Sequence, residues 1–271
     1  MKLGVIVNEE RPAALAFADR LLTAAGRRGL AVVTEGEAVP GDDWRGEQVD
    51  VVIAVGGDGT VLRATQRALE LDVPVLGFNL GTVGFLAEAE PEDLESVLDR
   101  LAEGAIRVIP RMTLEATTSE GVVGYGVNDV VIEKIESQRL VALDVTIDGS
   151  EFLTYRADGV VIATPTGSTA YSFSAGGPLI DPEIEAISVT AVAPHALFDR
   201  TIVLAPSARL RCRVVADRPV QVSVDGRALG HLGADGWVDV RRASRVVGFV
   251  TFDHETFPRR VRDRLGLGNA G

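Results

Sequence analysis

Five residues, Gly56-Gly57-Asp58-Gly59-Thr60, stand directly after the apolar run Val51 to Val55 and directly before a segment with helical character. That position matters, because a helix N-terminus presents free amides and a partial positive charge, and ligands of open parallel sheets gather beyond the carboxyl ends of the strands. Gly56, Gly57 and Gly59 let the backbone come close to a diphosphate. A plain strand-to-helix turn needs one or two glycines and gains nothing from a carboxylate beside them. No Gly-Lys-Ser/Thr follows, so this is not a Walker loop, and the GxGxxG spacing of hydride-transfer enzymes is absent. Asp58 is the discriminating residue. A carboxylate repels bound phosphate unless it faces a hydroxyl to be deprotonated or a divalent cation that neutralises it. Both roles belong to phosphoryl transfer.

A second block is denser. Thr164, Thr166, Ser168, Thr169, Tyr171, Ser172 and Ser174 are interrupted by Pro165 and Gly167 and followed by Gly176-Gly177-Pro178. Such a run cannot be a core strand. It is either a Ser/Thr loop that caps a helix, or a set of donors and acceptors for sugar hydroxyls and base edges with Tyr171 as a flat stacking surface. Asn128 and Asp129 follow the strand-like Val122 to Val127. An amide and a carboxylate together grip the two hydroxyls of a ribose, and an Asn-Asp pair is also a common turn. Asn79 follows the run Val73 to Phe78 and therefore lies on the same carboxyl-end rim as Asp58; Phe85 is either an adenine contact or a core side chain.

Taken together, the Gly56 to Thr60 loop, Asn128-Asp129 and the run Asp158-Gly-Val-Val-Ile-Ala-Thr-Pro-Thr-Gly-Ser-Thr-Ala-Tyr-Ser resemble the NAD kinase family over almost the whole chain. The first loop alone is shared with diacylglycerol and sphingosine kinases and with relatives among phosphofructokinases; the block from Asp158 to Ser174 narrows the choice. The resemblance implies transfer of the terminal phosphoryl group of ATP or inorganic polyphosphate to the 2′-hydroxyl of the adenosine ribose of NAD, giving NADP. It implies that Asp58 addresses that hydroxyl and Asp158 the nicotinamide carboxamide. Thr166, Ser168, Thr169, Ala170, Tyr171 and Ser174 then line the dinucleotide site. Asn128-Asp129 is the Asp form of the family's Asn-Glu/Asp motif, one methylene shorter than Glu. His195, in a Pro-His segment with Arg200 nearby, is either a structural histidine or part of the site. Family members are commonly homodimers or homotetramers, which is the expected assembly.

The elements that must position these residues fall into two kinds. From the N-terminus, strand-like Leu3 to Val7, a helix from Pro12 to Arg28, strand-like Leu30 to Val33 and Val51 to Val55, a helix from Thr60 to Glu70 and strand-like Val73 to Phe78 alternate as in a Rossmann-like parallel α/β domain. In the first helix Leu15, Ala18, Leu21, Leu22 and Ala25 share one face and Arg20, Arg27 and Arg28 the other. Residues 35–48 read as an irregular excursion, and a further helix runs from Pro91 to about Ala102. Near Pro110 the pattern changes to alternating strands with Gly and Asp turns. The expected division is an α/β domain over 1–110 and a β-sandwich-like, NAD-binding domain over 111–255, with a terminal helix within 256–271 as a candidate to pack back on the first. Asp148-Gly149 and Asp225-Gly226 each suit a tight hairpin turn. Along Arg209 to Val214 the arginines alternate with Leu210, Cys212 and Val214, which puts the thiol in the core.

Composition sets the outer limits. At 271 residues and 46 % hydrophobic the chain builds a real core, and its formal charge of −12 disfavours nucleic acid as a partner. With that charge, holding two anionic nucleotides in one cleft requires a divalent cation, Mg²⁺ or an equivalent, whose protein ligands the spacing does not identify. The single cysteine and the absence of paired Cys/His spacing argue against disulfide and structural zinc chemistry. No apolar run is long enough to span a bilayer and no signal-peptide pattern opens the chain, so a soluble, cytoplasmic protein without a membrane partner is expected. Two rivals stand beside the kinase reading: a lipid kinase sharing the glycine loop, and a module that binds NAD or NADP without catalysis.

Overall fold

The computed structural model describes residues 1–35, 47–81, 84–136, 139–195, 198–215, 217–252 and 256–267. Most of the expected excursion over 35–48, His254 and the last four residues of the expected terminal helix lie outside the described residues. The chain divides into two compact units, Met1–Pro110 with Val247–Gly271, and Arg111–Val246.

The first unit contains β1 (Lys2–Val7), α1 (Pro12–Arg27), β2 (Ala31–Glu35), β3 (Val51–Gly56), α2 (Asp58–Leu71), β4 (Val75–Asn79) and α3 (Leu94–Glu103), the last preceded by a 3-10 turn at Pro91–Asp93. The strands run parallel in the order β2-β1-β3-β4. Strand alternation sends Leu3, Val5, Ile53, Val55, Leu76 and Phe78 to one face, where they share a core with α1 and α3. Phe17 of α1 meets Phe78 with ring centroids 5.0 Å apart. Leu15 and Leu22 of the expected stripe are only partly buried, while Ala14, Phe17 and Ala24 are buried with it. The buried stripe is thus centred about a residue away from the sequence pattern, because a large aromatic outweighs a leucine in choosing the face. Helix α2 begins at Asp58, two residues before the expected Thr60, so the glycine loop is itself the helix N-terminus, with Gly57 as N-cap.

The second unit is built from strands β5 (Arg107–Thr118), β6 (Val123–Gly126), β7 (Asp129–Lys134), β8 (Val141–Ile147), β9 (Ser150–Ala157), β10 (Gly159–Ala163), β11 (Ile187–Val192), β12 (Ile202–Leu204), β13 (Arg209–Val214), β14 (Val220–Val224), β15 (Arg227–Leu232) and β16 (Trp237–Thr251), with one short helix, α4 (Tyr171–Ser174). One antiparallel sheet has the order β12-β11-β10-β7-β14-β15; in the other β16, β13, β8 and β9 follow one another, and β5 pairs with β16 and β6. Inward residues of both sheets, among them Ile132, Leu143, Ile162, Val189, Leu210 and Val222, form one core, which is the sandwich the sequence pattern implies. Cys212 is 1 % exposed, and burial pushes its thiol up to about 12.

Both Asp-Gly pairs turn hairpins with positive φ at each residue: 50° and 80° at Asp148-Gly149, 49° and 74° at Asp225-Gly226. The second boundary falls at Val246 rather than at residue 255, since β16 is one continuous strand whose last residues belong to the first unit, Phe249 pairing in parallel with Val75 of β4. The terminal helix, α5 (Phe257–Arg264), belongs to the first unit as well. Among the described residues no helix is long and apolar enough to cross a membrane.

Candidate active site

At the carboxyl ends of the parallel strands, Gly56 of β3 pairs in register with Asn79 of β4, and the amides of Asn8 and Leu80 donate to the carbonyls of Val55 and Gly56. The rim expected from the sequence is therefore contiguous. Asp58 sits on it in the first turn of α2, where the helix dipole favours a negative charge. Its Oδ2 accepts from the Phe85 amide at 2.8 Å and its Oδ1 from the Leu86 amide at 3.2 Å. Gly84 makes this approach possible: a Cβ there would lie 1.9 Å from Oδ1 of Asp58. Asn79 is buried; its side-chain nitrogen donates to Glu90 and the Gly81 carbonyl at 3.3 to 3.4 Å, and its Oδ1 accepts from no described group. Phe85 is half-buried and lines a cavity of about 770 Å³ together with Gly57, Asp58, Gly59, Arg11 and Arg63. Glu9, Glu10 and Glu35 complete its charged lining. Arg63 donates to the Val7 carbonyl at 2.6 Å and Arg11 to the Leu80 carbonyl at 3.2 Å, so both guanidinium groups are anchored at the cavity wall.

In the second unit Asn128 joins β6 to β7 and Asp129 opens β7, and both side chains are buried: Asn128 is 6 % and Asp129 5 % exposed. The agent is Asp225, at the tip of the β14–β15 hairpin. Its carboxylate accepts from the amides of Val127 (2.8 Å), Asn128 (2.8 Å) and Asp129 (3.2 Å), while its own amide donates to the Asp129 carbonyl at 3.0 Å. Oδ1 of Asn128 is buried without a partner, and no described group donates to the Asp129 carboxyl. Burial, reinforced by the neighbouring Asp225 charge, pushes Asp129 up to about 7. Asp158, half-buried, is ion-paired with Lys134 at 2.5 Å. Tyr171 is 38 % exposed, and its hydroxyl is pushed upward by desolvation and then by the charges of Glu133, Asp158 and Asp129. The tyrosine and these three carboxylates therefore share one neighbourhood.

The hydroxyl-rich block folds as a 3-10 turn, Thr166–Thr169, followed by α4. Its inner hydroxyls brace the fold. Thr164 Oγ1 donates to the Val127 carbonyl at 2.5 Å and accepts from the Gly167 amide, and a Cβ at Gly167 would lie 2.1 Å from the Asn128 carbonyl oxygen. Ser168, expected in the dinucleotide site, is fully buried: its single hydroxyl proton goes to the Pro165 carbonyl at 2.6 Å, with the Ile180 carbonyl as the alternative acceptor at 3.1 Å, and its oxygen accepts from the Ile180 amide at 2.9 Å, so it fixes the turn. Ser172 is spent on Thr190 in the same way. Thr166 is 8 % exposed, Thr169 and Ala170 are half-buried, and Tyr171 and Ser174 reach the surface. The block thus divides into hydroxyls spent on the fold and residues left at or near the surface.

The sequence pattern missed Asp225, read only as a turn residue, along with Lys134, Gly84, Arg11 and Arg63. Asp225 had a visible cue in its Asp-Gly turn, which fixes φ but does not say which way the carboxylate faces. Arg63 had one too, being one turn after the glycine loop on α2. His195, with its amide donating to the Arg156 carbonyl, shows no site partner for its ring among the described residues.

Comparison with known proteins points one way. The family model of the ATP-NAD kinase N-terminal domain matches residues 41–106 and that of the ATP-NAD kinase C-terminal domain residues 127–252. The chain is 37 % identical to NAD kinase 2 of Streptomyces avermitilis, over 98 % of this chain and 95 % of that one. Among solved structures, an NAD kinase from Archaeoglobus fulgidus in complex with ATP is 25 % identical with a TM-score of 0.78, covering 98 % of each chain. Yeast NADH kinase complexed with NADH is 24 % identical with a TM-score of 0.89, covering 100 % of this chain and 89 % of that one, a likeness of fold.

Proposed function

The chain belongs to the ATP-NAD kinase family, and from that premise we propose how its residues divide the work of phosphorylating the 2′-hydroxyl of the adenosine ribose of NAD. The observation that carries the proposal is Asp58: a carboxylate fixed at a helix N-terminus by two main-chain amides, on the wall of a cavity large enough for a nucleotide. Each of its oxygens keeps a lone pair beyond the amide it accepts from. Asp58 uses one to take the proton of the attacking hydroxyl. The donor, ATP or inorganic polyphosphate, lies in the cavity with its phosphates at the α2 N-terminus and beside Arg11 and Arg63.

Phosphoryl transfer asks for in-line positioning and charge neutralisation rather than covalent help. The lining carries Glu9, Glu10, Glu35 and Asp58 against two arginines, so a polyanion enters this cavity accompanied by a cation. Among the described residues no three acidic, His or Cys side chains cluster to hold a metal. This donor set fits a Mg²⁺ ion carried mainly by substrate phosphates, with Asp58 as the protein carboxylate within reach. When bound, the ion neutralises charge developing on the transferred phosphoryl group.

The second unit supplies recognition. The orphaned Oδ1 of Asn128 and the carboxyl of Asp129 take the hydroxyls of a ribose, Asp158 takes the nicotinamide carboxamide, and Tyr171 stacks on a ring. Thr166, Thr169, Ala170 and Ser174 border that set, while Ser168 and Asp225 hold it in shape. The lipid-kinase alternative has no support, since both halves of the chain match the NAD kinase family and not only the shared glycine loop. Incubation with NAD, ATP and Mg²⁺ followed by an NADP-specific dehydrogenase test checks the reading: NADP accumulates with the intact chain, and its absence overturns catalysis in favour of a binding-only module. Running the same test with polyphosphate, and with NADH as acceptor, defines donor and acceptor range.

A further inference from the structure

The terminal helix α5 carries Arg259, Arg260, Arg262 and Arg264, and one of them reaches the segment that holds Asp58. Arg260 donates through Nη2 to Glu88 Oε2 at 2.9 Å and through Nη1 to the Phe85 carbonyl at 3.3 Å. Glu88 is tied to the end of β16 in turn, its Oε1 accepting from Thr251 Oγ1 at 2.6 Å and from the Phe252 amide at 3.0 Å. The pair is withdrawn from water, with side chains 17 % and 9 % exposed. The Phe85 carbonyl and the Leu86 amide belong to one planar peptide unit. Arg260 therefore grips the oxygen end of the very peptide whose N–H end donates to Oδ1 of Asp58. Rotating that plane breaks both contacts together.

We propose that Arg260 is a positioning residue for Asp58, holding the Phe85–Leu86 peptide at the angle that fixes the carboxylate, so that the C-terminal helix completes the active site from outside it. The inference rests on the kinase reading for its catalytic consequence but not for its structural one. A guanidinium suits the task because its planar fork addresses two acceptors at fixed geometry, which a lysine ammonium does not. Among the neighbouring arginines, Arg259 and Arg262 pair with Asp263 on the same helix.

The test compares the full-length chain with Arg260→Ala, Arg260→Lys and Arg259→Ala, by steady-state NADP formation and by hydrogen–deuterium exchange of peptides spanning residues 84–89. Misplacing a catalytic group by a fraction of an ångström to one ångström costs on the order of 10- to 100-fold in rate. The expected result is a kcat at least about 10-fold lower for Arg260→Ala with KM for NAD within about twofold, partial recovery in Arg260→Lys, and no change in Arg259→Ala. Exchange at Phe85 and Leu86 accelerates in Arg260→Ala and stays at the parent rate in Arg259→Ala. Parent-like kcat and parent-like exchange at 85–86 in Arg260→Ala overturn the proposal, and so does an equal loss in Arg259→Ala, which makes the effect one of helix docking in general. If Arg260→Ala does not fold, Arg260→Lys decides: unchanged exchange and unchanged kcat overturn it. A parent protein that makes no NADP removes the kinase reading, while the exchange data still decide whether Arg260 holds the peptide.

Discussion

Asp58 and Asp129 are both partly or wholly withdrawn from water, and their surroundings treat them in opposite ways. Asp58 receives two main-chain amides and the positive end of a helix. Asp129 receives no described donor, lies 5 % exposed, and faces Asp225, which has taken the three nearby amides for itself. The first arrangement satisfies a charge in advance. The second leaves a group whose charge is costly until something enters, and its proton affinity accordingly rises to about 7. In the proposed division of work Asp58, the proton acceptor, is held in place by donors, and Asp129, set against sugar hydroxyls, is left for a ligand to satisfy.

The sharpest way to break this contrast is at Asp58. Asp58→Asn keeps the size but loses the base and half of the acceptor capacity toward Phe85 and Leu86, and turnover falls by about 10²-fold or more. NAD affinity by calorimetry stays near that of the parent; parent-like turnover removes the assigned role. Asp225→Ala comes next. It strips partners from three buried amides, and a loss of about 2 to 3 kcal/mol in denaturant unfolding is expected, partly offset because the repulsion on Asp129 also goes. Stability within about 0.5 kcal/mol of the parent would show that water replaces the clamp.

The third prediction turns on sign. A carboxyl raised from 3.8 to about 7 in the folded state binds more protons folded than unfolded between those values, so its contribution to stability falls as pH rises through that window. Asp129→Asn removes the penalty. Relative to the parent it gains about 2 kcal/mol more at pH 8 than at pH 5, read from unfolding curves at the two pH values, while NAD binding weakens. A pH-independent difference contradicts the burial argument. The smallest effect belongs to Tyr171→Ala: the ring is 38 % exposed, so melting is unchanged, and loss of stacking weakens NAD by about 1 kcal/mol. Unchanged affinity takes Tyr171 off the site.

Much of this architecture was legible because it rests on local rules. Short all-apolar runs between amphipathic segments imply a covered parallel sheet, and strict alternation in Arg209–Val214 placed Cys212 in the core. The glycine loop was legible for the same reason, its neighbours in sequence being its neighbours in space. Ser168 shows the limit. A hydroxyl in a polar run looks like its neighbours, and only the Ile180 backbone folding over it makes it internal. Asp225 and Arg260 lie further still from anything spacing reveals, acting on backbone about 97 and 175 positions away.

The sequence by itself determined the two kinds of domain, the loop that carries Asp58, and the residue types needed to bind a dinucleotide, because periodicity, turn chemistry and motif spacing are properties of adjacent residues. Only the tertiary structure decided which polar groups are left over. A hydrogen bond is made by whichever donor and acceptor the packed backbone brings within about 3 Å, and an acceptor claimed by a distant amide is no longer offered to a ligand. Asp129 is left over and Ser168 is not for that reason alone.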